Sequence, residues 1–383
     1  MKVFVSAHNV ISPLGQTSDE NFNAIKLKKS GVKEICDEPY GIPYYGSKLD
    51  WDSLELCKYG NGDLGVLTKL EALAIASISK ALESNTSINS KNNKTLFILS
   101  TTKGNIDLLT PKEALSFPEN RKYLWKTGEV IASHFENPNK CLVVSNACIS
   151  GVLAIVLAKR WIKSKKYDTV VVVGVDLLTP FVTLGFASFK ALADGVCKPY
   201  DKNRTGINLG EACSTIILQN KDTSSRNITV LDGAISSDAN HISGPSRDGE
   251  GLYLSIRQTL KNSNVEAQSV DYISGHGTST AYNDEMESLA VHRAGLSHAP
   301  MNSMKGYFGH TLGAAGVLES VMTIKSLEED TIIGTYNFSE LGVSSPVNIQ
   351  KDTEKRKLKV ALKTAAGFGG CNASVLFRKE EIE

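Results

Sequence analysis

The chain has 383 residues, of which 41% are apolar and 22% are charged, as in an ordinary soluble globular enzyme that is long enough for two domain-sized halves. Its 42 Lys and Arg residues almost balance its 41 Asp and Glu residues, so the charge gives no sign of a nucleic-acid-binding or membrane-binding surface. The N-terminus lacks the pattern of a secretory signal and no apolar run reaches the ~18–20 residues of a membrane span, so we expect a cytoplasmic protein.

The first half alternates short apolar runs with amphipathic stretches. Residues 149–164 (ISGVLAIVLAKRWIKS) are apolar at helical spacing and end in basic residues, which favour a helix C-terminus, so we predict a buried helix there. The polar stretch 219–227 is the best candidate for a linker, and it divides the chain into halves of 1–220 and 226–383. Runs rich in Val and Ile predict buried strands at 97–101, 141–145, 169–175 and 214–218.

The second half repeats this alternation of strands and helices. Two similar βα halves favour an α/β fold in which helices and sheets form layers. No repeat is visible at the level of residues, so duplication of one unit is inferred from the pattern of elements alone. We predict strands at 227–235 and 270–275, two more strands around a glycine turn within 358–377, and helices at 253–263, 283–295 and 312–329.

Cys148 in SNACISG is the candidate nucleophile. It lies between a predicted strand and the predicted helix 149–164, and the N-terminus of a helix favours thiolate over thiol. Small neighbours allow a sharp turn that aims the sulfur into a pocket. The alternative is a buried structural cysteine, because free cysteines are among the most buried residues. The 7 cysteines are odd in number and spread along the chain, as expected for reduced cytoplasmic thiols.

Two histidines lie beside glycines in the last third of the chain. His276 in GHGTSTAYND follows a predicted strand, and its glycine neighbours let the backbone approach a substrate. The hydroxyls of Thr278 and Thr280 offer hydrogen bonds to a polar, extended ligand arm. His310 in GHTLGAAG precedes a predicted helix, whose end disfavours protonation, so a neutral ring can donate Nε2–H to a developing oxyanion. Either histidine could instead be structural.

Lys305 in NSMKG lies five residues before His310. We expect it to polarise nearby groups or to pair with Glu319 or Asp284. The alternative is an ordinary exposed lysine.

The glycine turn AAGFGGCNAS at 365–374 is a further candidate element of the site. Backbone N–H groups in such a turn can form one half of an oxyanion hole, with the Cys148 N–H as the other half. Phe368 in the middle of the turn could act as a gate over an acyl pocket, or it could lie in the core of a simple hairpin.

Cys148, His276 and His310 are also residue types that bind zinc. Their spacing along the chain fits none of the compact zinc motifs, so we expect no metal ion and no cofactor. The same residue types can instead form an acyl thioester and stabilise an enolate directly.

Taken together, these segments resemble the β-ketoacyl-acyl-carrier-protein synthases, the condensing enzymes of the thiolase superfamily. The resemblance extends over nearly the whole chain, in the order of the family's motifs. SNACISG looks like the family's nucleophile motif. The other matching segments are PLG (13–15), KPYDKNRTGINLGEA (198–212), GHGTSTAYND (275–284), NSMKGYFGHTLGAAGVLE (302–319) and GFGGCNAS (367–374).

The resemblance implies a thiolase-like fold, with two similar halves in a layered αβαβα arrangement, and a decarboxylating Claisen condensation. Cys148 would bind an acyl group, and malonyl-acyl-carrier protein would extend it to a 3-oxoacyl thioester in fatty-acid, polyene or polyketide synthesis. His276 and His310 would stabilise the enolate, and the N–H groups of Cys148 and Phe368 would form the oxyanion hole. Substrate contacts would come from Thr278, Thr280, Phe368 and Gly369, electrostatic support for the histidines from Lys305 with Glu319, and further support from Asp284.

The implied partners are an acyl carrier protein and a second subunit, in a homodimer or a ketosynthase heterodimer. Two histidines, rather than a histidine and an asparagine, indicate the elongating branch of the family. A thiolase would need a second catalytic cysteine, for which Cys371 is the candidate. A non-catalytic subunit that sets chain length in a heterodimer is the other alternative, although such partners typically lack the nucleophile that is present here.

The chain also departs from the family pattern. It is short for the family, and the missing length lies within 35–95, which leaves the depth of the acyl pocket open. Asn146 replaces the commoner residues two positions before Cys148, and Gly275 replaces the commoner alanine before His276.

Overall fold

The computed structural model describes residues 1–36, 43–58, 67–110, 117–224, 226–238, 240 and 244–381. The α-helices in these ranges are α1 (Ser18–Lys26), α2 (Lys69–Glu83), α3 (Leu124–His134), α4 (Ser150–Lys163), α5 (Pro180–Ser188), α6 (Glu250–Ser263), α7 (Ala281–Arg293), α8 (Lys305–Phe308) and α9 (Ala315–Glu329). In the same ranges, no helix combines the length and the apolar character needed to cross a bilayer.

The strands are β1 (Phe4–Ile11), β2 (Lys33–Ile35), β3 (Tyr44–Ser47), β4 (Thr95–Ser100), β5 (Leu142–Val144), β6 (Thr169–Asp176), β7 (Leu209–Gly210), β8 (Ala212–Gln219), β9 (Ile228–Ser237), β10 (Tyr272–Ser274), β11 (Pro300–Asn302), β12 (Thr331–Ile332), β13 (Asn348–Ile349), β14 (Glu354–Lys355), β15 (Val360–Gly367) and β16 (Cys371–Lys379). The predicted strands and helices are therefore confirmed, with bounds that differ by a few residues.

The long strands form one mixed sheet in the order β13-β11-β10-β15-β16-β9-β1-β8-β6-β4-β5. β1 and β9 meet near its middle. On one side the order from this junction is β1-β8-β6-β4-β5, and on the other it is β9-β16-β15-β10-β11. In each set the first two pairings are antiparallel and the next two are parallel. This shared order supports the inference that one βα unit is duplicated. The proposed boundary at 220–226 falls between β8 and β9 and stays a prediction.

Strand β6 is apolar from Val170 to Val175 because both of its faces are buried. Val170 and Val172 belong to a core that contains α4 and α9, whereas Val171 and Val173 belong to a second core that contains α2. A third core packs α6 and α7 against the other half of the sheet. The helices α4 and α9 therefore form a central layer between the two half-sheets, with helices outside each of them, which is the predicted αβαβα arrangement.

The two central helices touch through their backbones. A Cβ atom on Gly151 of α4 would lie 2.6 Å from the Val317 nitrogen, and one on Gly316 of α9 would lie 2.4 Å from the Val152 nitrogen. Any larger residue would force the helices apart. Because α4 starts just after Cys148 and α9 starts five residues after His310, this crossing fixes the two candidate catalytic residues relative to each other.

The helix predicted over 312–329 begins later than expected. Leu312 has a φ of +51°, and Leu312–Ala314 form a 3₁₀ turn before α9 starts at Ala315. The buried carboxylate of Asp176 holds this turn by accepting a hydrogen bond of 2.7 Å from the Gly313 N–H. The same carboxylate accepts a hydrogen bond from Thr101, so the turn is tied to the loop after β4.

Candidate active site

Cys148 lies on a tight turn between β5 and α4. Ala147 has a φ of +43°, a left-handed conformation that is rare for a residue with a side chain. The Ser150 hydroxyl holds this turn: it accepts a 2.7 Å hydrogen bond from the Asn146 N–H and donates one of 2.7 Å to the Ala147 carbonyl. The Cys148 side chain is buried, and it faces a cavity of about 480 Å³.

His276 follows β10 and is fixed by a buried carboxylate. Glu287 of α7 accepts hydrogen bonds of 2.8 Å from the N–H groups of both His276 and Gly277. The structure also explains why Gly275 stands before this histidine: a Cβ atom there would lie 2.3 Å from the Tyr200 hydroxyl oxygen. That hydroxyl donates to the same Glu287 carboxylate at 2.8 Å.

His310 is fixed entirely by its backbone. Its N–H donates to the Asn208 carbonyl at 2.7 Å, and its own carbonyl accepts from the Gly210 N–H at 3.0 Å. Gly309 before it has a φ of +66°, and a Cβ atom there would lie 2.4 Å from the Leu209 carbonyl oxygen. Both nitrogens of the buried His310 ring have no hydrogen-bond partner in the described part of the chain. The ring is therefore oriented but free to bond a substrate.

The fold brings Cys148, His276 and His310 together from three separate segments. The Cys148 Sγ and a ring nitrogen of each histidine all lie within 4.8 Å of one another, and all three side chains are buried. The two imidazole rings are perpendicular, with centroids 5.2 Å apart. Their spacing along the chain fits none of the compact zinc motifs, and the three residues meet because segments far apart in sequence converge here. This arrangement suits a thiol that exchanges acyl groups beside two imidazoles.

The glycine turn between β15 and β16 packs directly against the nucleophile. A Cβ atom on Gly367 would lie 3.1 Å from the Cys148 nitrogen, and the Phe368 backbone N–H acts to lower the pKa of the Cys148 thiol. Gly369 and Gly370 have φ values of +87° and +72°, which glycine adopts without strain. The turn therefore lies against the Cys148 backbone, and the oxyanion hole formed by the N–H groups of Cys148 and Phe368 stays a prediction.

The Phe368 ring lies at the cavity and not in the core, since 40% of its surface is exposed. It stacks on Phe186 of α5 with ring centroids 5.9 Å apart, and it meets the edge of Phe189 at 5.7 Å. Sequence analysis missed both of these aromatic residues. The sequence offered one signal for them, since both are phenylalanines near the end of the strongly apolar stretch 180–189.

Lys305 is fully buried, so the interpretation as an exposed lysine is wrong. Its ammonium forms an ion pair with Glu319 of α9 and donates to the His276 carbonyl at 3.0 Å. The other oxygen of Glu319 lies 2.8 Å from the ammonium of a second fully buried lysine, Lys363 of β15. Sequence analysis missed Lys363, because a lysine within a strand ordinarily indicates a solvent-facing position.

Asp284 does not contact Lys305. Its carboxylate accepts hydrogen bonds from the N–H groups of Tyr200 at 2.7 Å and Ser279 at 3.1 Å, and it lies 4.0 Å from the Arg204 guanidinium. Burial raises the pKa of Asp284 to about 7. Asp284 therefore supports the loop after His276 through backbone contacts.

The two histidines are held in the neutral form. Burial, together with the positive charge of Lys305 and then of Lys363, lowers the pKa of both His276 and His310 well below the usual range. The predicted neutral state of His310 is thus explained mainly by burial and nearby ammonium groups, not by a helix end. A neutral imidazole can donate an N–H without first losing a proton.

The expectation that the helix N-terminus favours a thiolate at Cys148 is wrong for this state of the chain. Burial raises the pKa of the Cys148 thiol to about 12, although Lys305 and the Phe368 N–H oppose this effect. Desolvation disfavours the charged sulfur more strongly than the Lys305 ammonium and the Phe368 N–H favour it. At neutral pH the residue is therefore a thiol that needs a base at the moment of reaction.

Alkylation of Cys148 is consequently expected to accelerate about tenfold per pH unit between pH 6 and 9 without levelling off, because only the thiolate reacts. Iodoacetamide labelling read by peptide mass separates this site from the exposed Cys36. The neutral His276 and His310 do not change charge in this range, since their pKa values lie below it. A rate that reaches a plateau below pH 8 would contradict the raised pKa.

Four other predicted residues take the following positions. Thr278 and Thr280 line the cavity and hydrogen-bond to each other at 2.8 Å, so both hydroxyls are close to a ligand entering there. Gly369 also lines the cavity. Cys371 lies outside the three converging side chains, and its Sγ donates to the Phe368 carbonyl at 3.3 Å. Cys371 is nevertheless close enough to Cys148 to raise the pKa of the Cys148 thiol.

The sequence matches two family models. The N-terminal domain of β-ketoacyl synthases matches residues 128–224, and the C-terminal domain of β-ketoacyl synthases matches residues 228–339. Together these stretches make up more than half of the chain, and they contain Cys148, His276 and His310.

Individual relatives and solved structures agree with these matches. The 3-oxoacyl-[acyl-carrier-protein] synthase 2 of Rhizobium meliloti is 33% identical over 66% of this chain and 63% of its own length. The protein of the same name from Coxiella burnetii is 25% identical over 99% of this chain and 98% of its own. The solved structure described as the ishigamide ketosynthase/chain length factor superposes with a TM-score of 0.89 at 24% identity, over 99% of both chains.

Proposed function

We propose that this chain, which belongs to the β-ketoacyl synthase family, condenses an acyl group held on Cys148 with a malonyl group held on acyl carrier protein. The product is a 3-oxoacyl thioester, two carbons longer, in fatty-acid or polyketide chain elongation. The observation that supports this most directly is the meeting of one thiol and two neutral imidazoles within 4.8 Å, inside a cavity.

In the first half-reaction the Cys148 sulfur bonds to the carbonyl carbon of an acyl thioester, and the bond from that carbon to the pantetheine sulfur breaks. The thiol proton moves through an imidazole to the departing sulfur, so no net charge is produced. The N–H groups of Cys148 and Phe368 stabilise the oxyanion that forms in between. This route needs no free thiolate at rest, which agrees with the raised pKa of Cys148.

In the second half-reaction the malonyl group loses carbon dioxide. The electron pair of the broken C–C bond passes to the thioester as an enolate, whose oxygen accepts N–H hydrogen bonds from His276 and His310. The enolate carbon then bonds to the acyl carbonyl on Cys148, and the C–S bond breaks. The released sulfur takes up one proton, which restores the thiol.

The polar mouth of the cavity fits the arm that delivers both substrates. Thr278 and Thr280 present hydroxyl groups at the cavity, as a pantetheine arm with amide groups requires. Phe368, Phe186 and Phe189 form an apolar wall beside Cys148, which suits the acyl chain. The partner is accordingly an acyl carrier protein, and we propose that the chain works as a homodimer or with a ketosynthase-like second subunit.

Intact mass of the purified full-length chain after mixing with acyl-carrier proteins of different acyl lengths tests this function. We expect one acyl adduct, which is lost in Cys148→Ala and retained in Cys213→Ala. Cys213 is a matched control because it is a buried cysteine in the core that contains α2. The length that reacts best identifies the substrate. No adduct from any acyl donor would contradict the proposal and favour the alternative of a non-catalytic partner subunit.

A further inference from the structure

The second buried lysine, Lys363, lies behind the histidines and has no part in the condensation as set out above. Alternation along β15 places it on the same face as Ala361 and Ala365, which both belong to the core around α4 and α9. Its side chain has no exposure to solvent. A fully buried lysine is rare unless its charge is paired, so its surroundings need an explanation.

Oxygen atoms surround the Lys363 ammonium. It donates to the carbonyl groups of Ser274 at 3.2 Å, Gly275 at 3.1 Å and Thr364 at 2.5 Å, and it lies 2.8 Å from a carboxylate oxygen of Glu319. Carbonyl groups only accept hydrogen bonds, and three of them need three N–H donors, which an amine has only when it is protonated. Lys363 is therefore charged, although burial lowers its pKa.

Two buried positive charges lie near the histidines. Lys305 and Lys363 share the carboxylate of Glu319, and both ammonium groups lower the pKa of His276 and His310. A second buried carboxylate, that of Glu287, also acts on Lys363 and accepts hydrogen bonds from the N–H groups of His276 and Gly277. The ammonium of Lys363 therefore acts on the side of the cavity where the enolate would develop.

Two of the three carbonyl groups that hold Lys363 come directly before His276. The ammonium therefore ties β15 to the end of β10 at the point where the histidine turn begins. The third residue, Thr364, donates to Glu287, the carboxylate that fixes the His276 N–H. One side chain thus affects both the position of His276 and the charge around it.

We propose that Lys363 is a positioning residue for the condensation, which fixes the backbone before His276 and supplies a buried positive charge that favours the enolate over the bound malonyl thioester. This inference rests on the proposed function. Acyl transfer to Cys148 forms no enolate, so we expect Lys363 to matter more for decarboxylation and condensation than for that step.

The Lys363→Met variant of the full-length chain separates these steps. We expect acylation of Cys148, read by intact mass, to stay within about twofold of the unchanged protein, and condensation to fall about tenfold or more, as is usual when a charge that supports a catalytic group is removed. The matched control is Lys159→Met, which removes another buried, carboxylate-paired lysine that lies on α4 and pairs with Asp232. It is expected to leave the ratio of the two rates unchanged.

The pH profile provides a readout that a purely structural role would not change. Lys363 helps to lower the pKa of both histidines, so its removal raises those pKa values. As the solution is acidified, the two imidazoles then become protonated at a higher pH than in the unchanged chain. The acid limb of condensation in Lys363→Met is therefore expected to move to higher pH, whereas in Lys159→Met it is expected to stay in place.

A second variant covers the case in which methionine is not tolerated. Lys363→Ala leaves a space bounded by the same oxygens, and ammonium chloride is expected to restore part of the condensation rate, while tetramethylammonium chloride at equal ionic strength is too large to do so. The inference would be overturned if Lys363→Met matched the unchanged chain in condensation rate, pH profile and acylation. It would also be overturned if ammonium did not raise the condensation rate of a Lys363→Ala chain that is folded and acylated. Failure of the unchanged chain to be acylated would instead overturn the proposed function.

Discussion

Replacing Cys148 by alanine is expected to abolish condensation and yet to leave measurable decarboxylation of malonyl-acyl-carrier protein. The acyl thioester cannot form without the sulfur, so we expect condensation to fall on the order of 10³-fold or more, since loss of a nucleophile costs an enzyme up to ~10⁶-fold. Decarboxylation needs only donors for the enolate, and His276 and His310 remain in place with their backbone hydrogen bonds. Release of carbon dioxide and formation of the 3-oxoacyl product are measured in parallel.

The double variant Cys148→Ala, His310→Ala is the control for this separation. It removes one of the two donors and should lower the remaining decarboxylation by about 10²-fold, the usual effect of losing one oxyanion donor. Normal condensation by Cys148→Ala would show that the nucleophile has been wrongly assigned. Unchanged decarboxylation in the double variant would show that His310 has no part in stabilising the enolate.

The largest effect on stability is expected from Glu319→Gln. Glu319 is the one carboxylate between two buried ammonium groups, and the attraction of Lys305 and Lys363 outweighs burial and lowers its pKa. A neutral amide removes the carboxylate that both ammonium groups share. Removing one partner of a buried ion pair costs about 3–5 kcal/mol, which corresponds to a fall in melting temperature of about 4–6 °C for a chain of this size. Calorimetry of the purified variant measures it.

Restoring the charge balance distinguishes electrostatics from packing. Lys363→Met in the Glu319→Gln background removes the surplus ammonium, so the double variant is expected to melt at a higher temperature than Glu319→Gln alone. Glu119→Gln is the control on the surface, since Glu119 pairs with Lys122 in an exposed position, and its melting temperature should be unchanged. A Glu319→Gln protein that melts like the unchanged chain would contradict the ion-pair arrangement.

Much of the fold could be predicted from the sequence because its central strands are buried on both faces. Such strands are continuous apolar runs, as in β6. Helix α4, which connects β5 to β6, has the basic residues Arg160 and Lys163 in its last turn. Pairing across the middle of the sheet could not be predicted in the same way. The contact of β1 with β9 joins Phe4 and Thr229, which are more than 200 positions apart. Nothing in the local sequence of either residue identifies the other as its partner.

Site residues could be predicted where they lie in a distinctive local sequence. They could not be predicted where their role depends on residues that are distant in the sequence. Cys148, His276 and His310 each lie in a distinctive turn sequence. Lys363 and Glu287 do not, because their roles appear only when Glu319 and the His276 turn are brought to them by the fold. The protonation state of Cys148 was wrongly inferred for a related reason: a helix end is visible in the sequence, whereas the depth of burial is not.

The crossing of α4 and α9 at Gly151 and Gly316 has a consequence for how the site can open. Two helices in contact through their peptide groups cannot slide or separate by side-chain rearrangement alone. Because this contact joins the helix after Cys148 to the helix after His310, the spacing of thiol and imidazole is lost only when the central layer itself comes apart. Amide hydrogens around the crossing should therefore exchange as slowly as any in the chain, in a single cooperative unit with global unfolding.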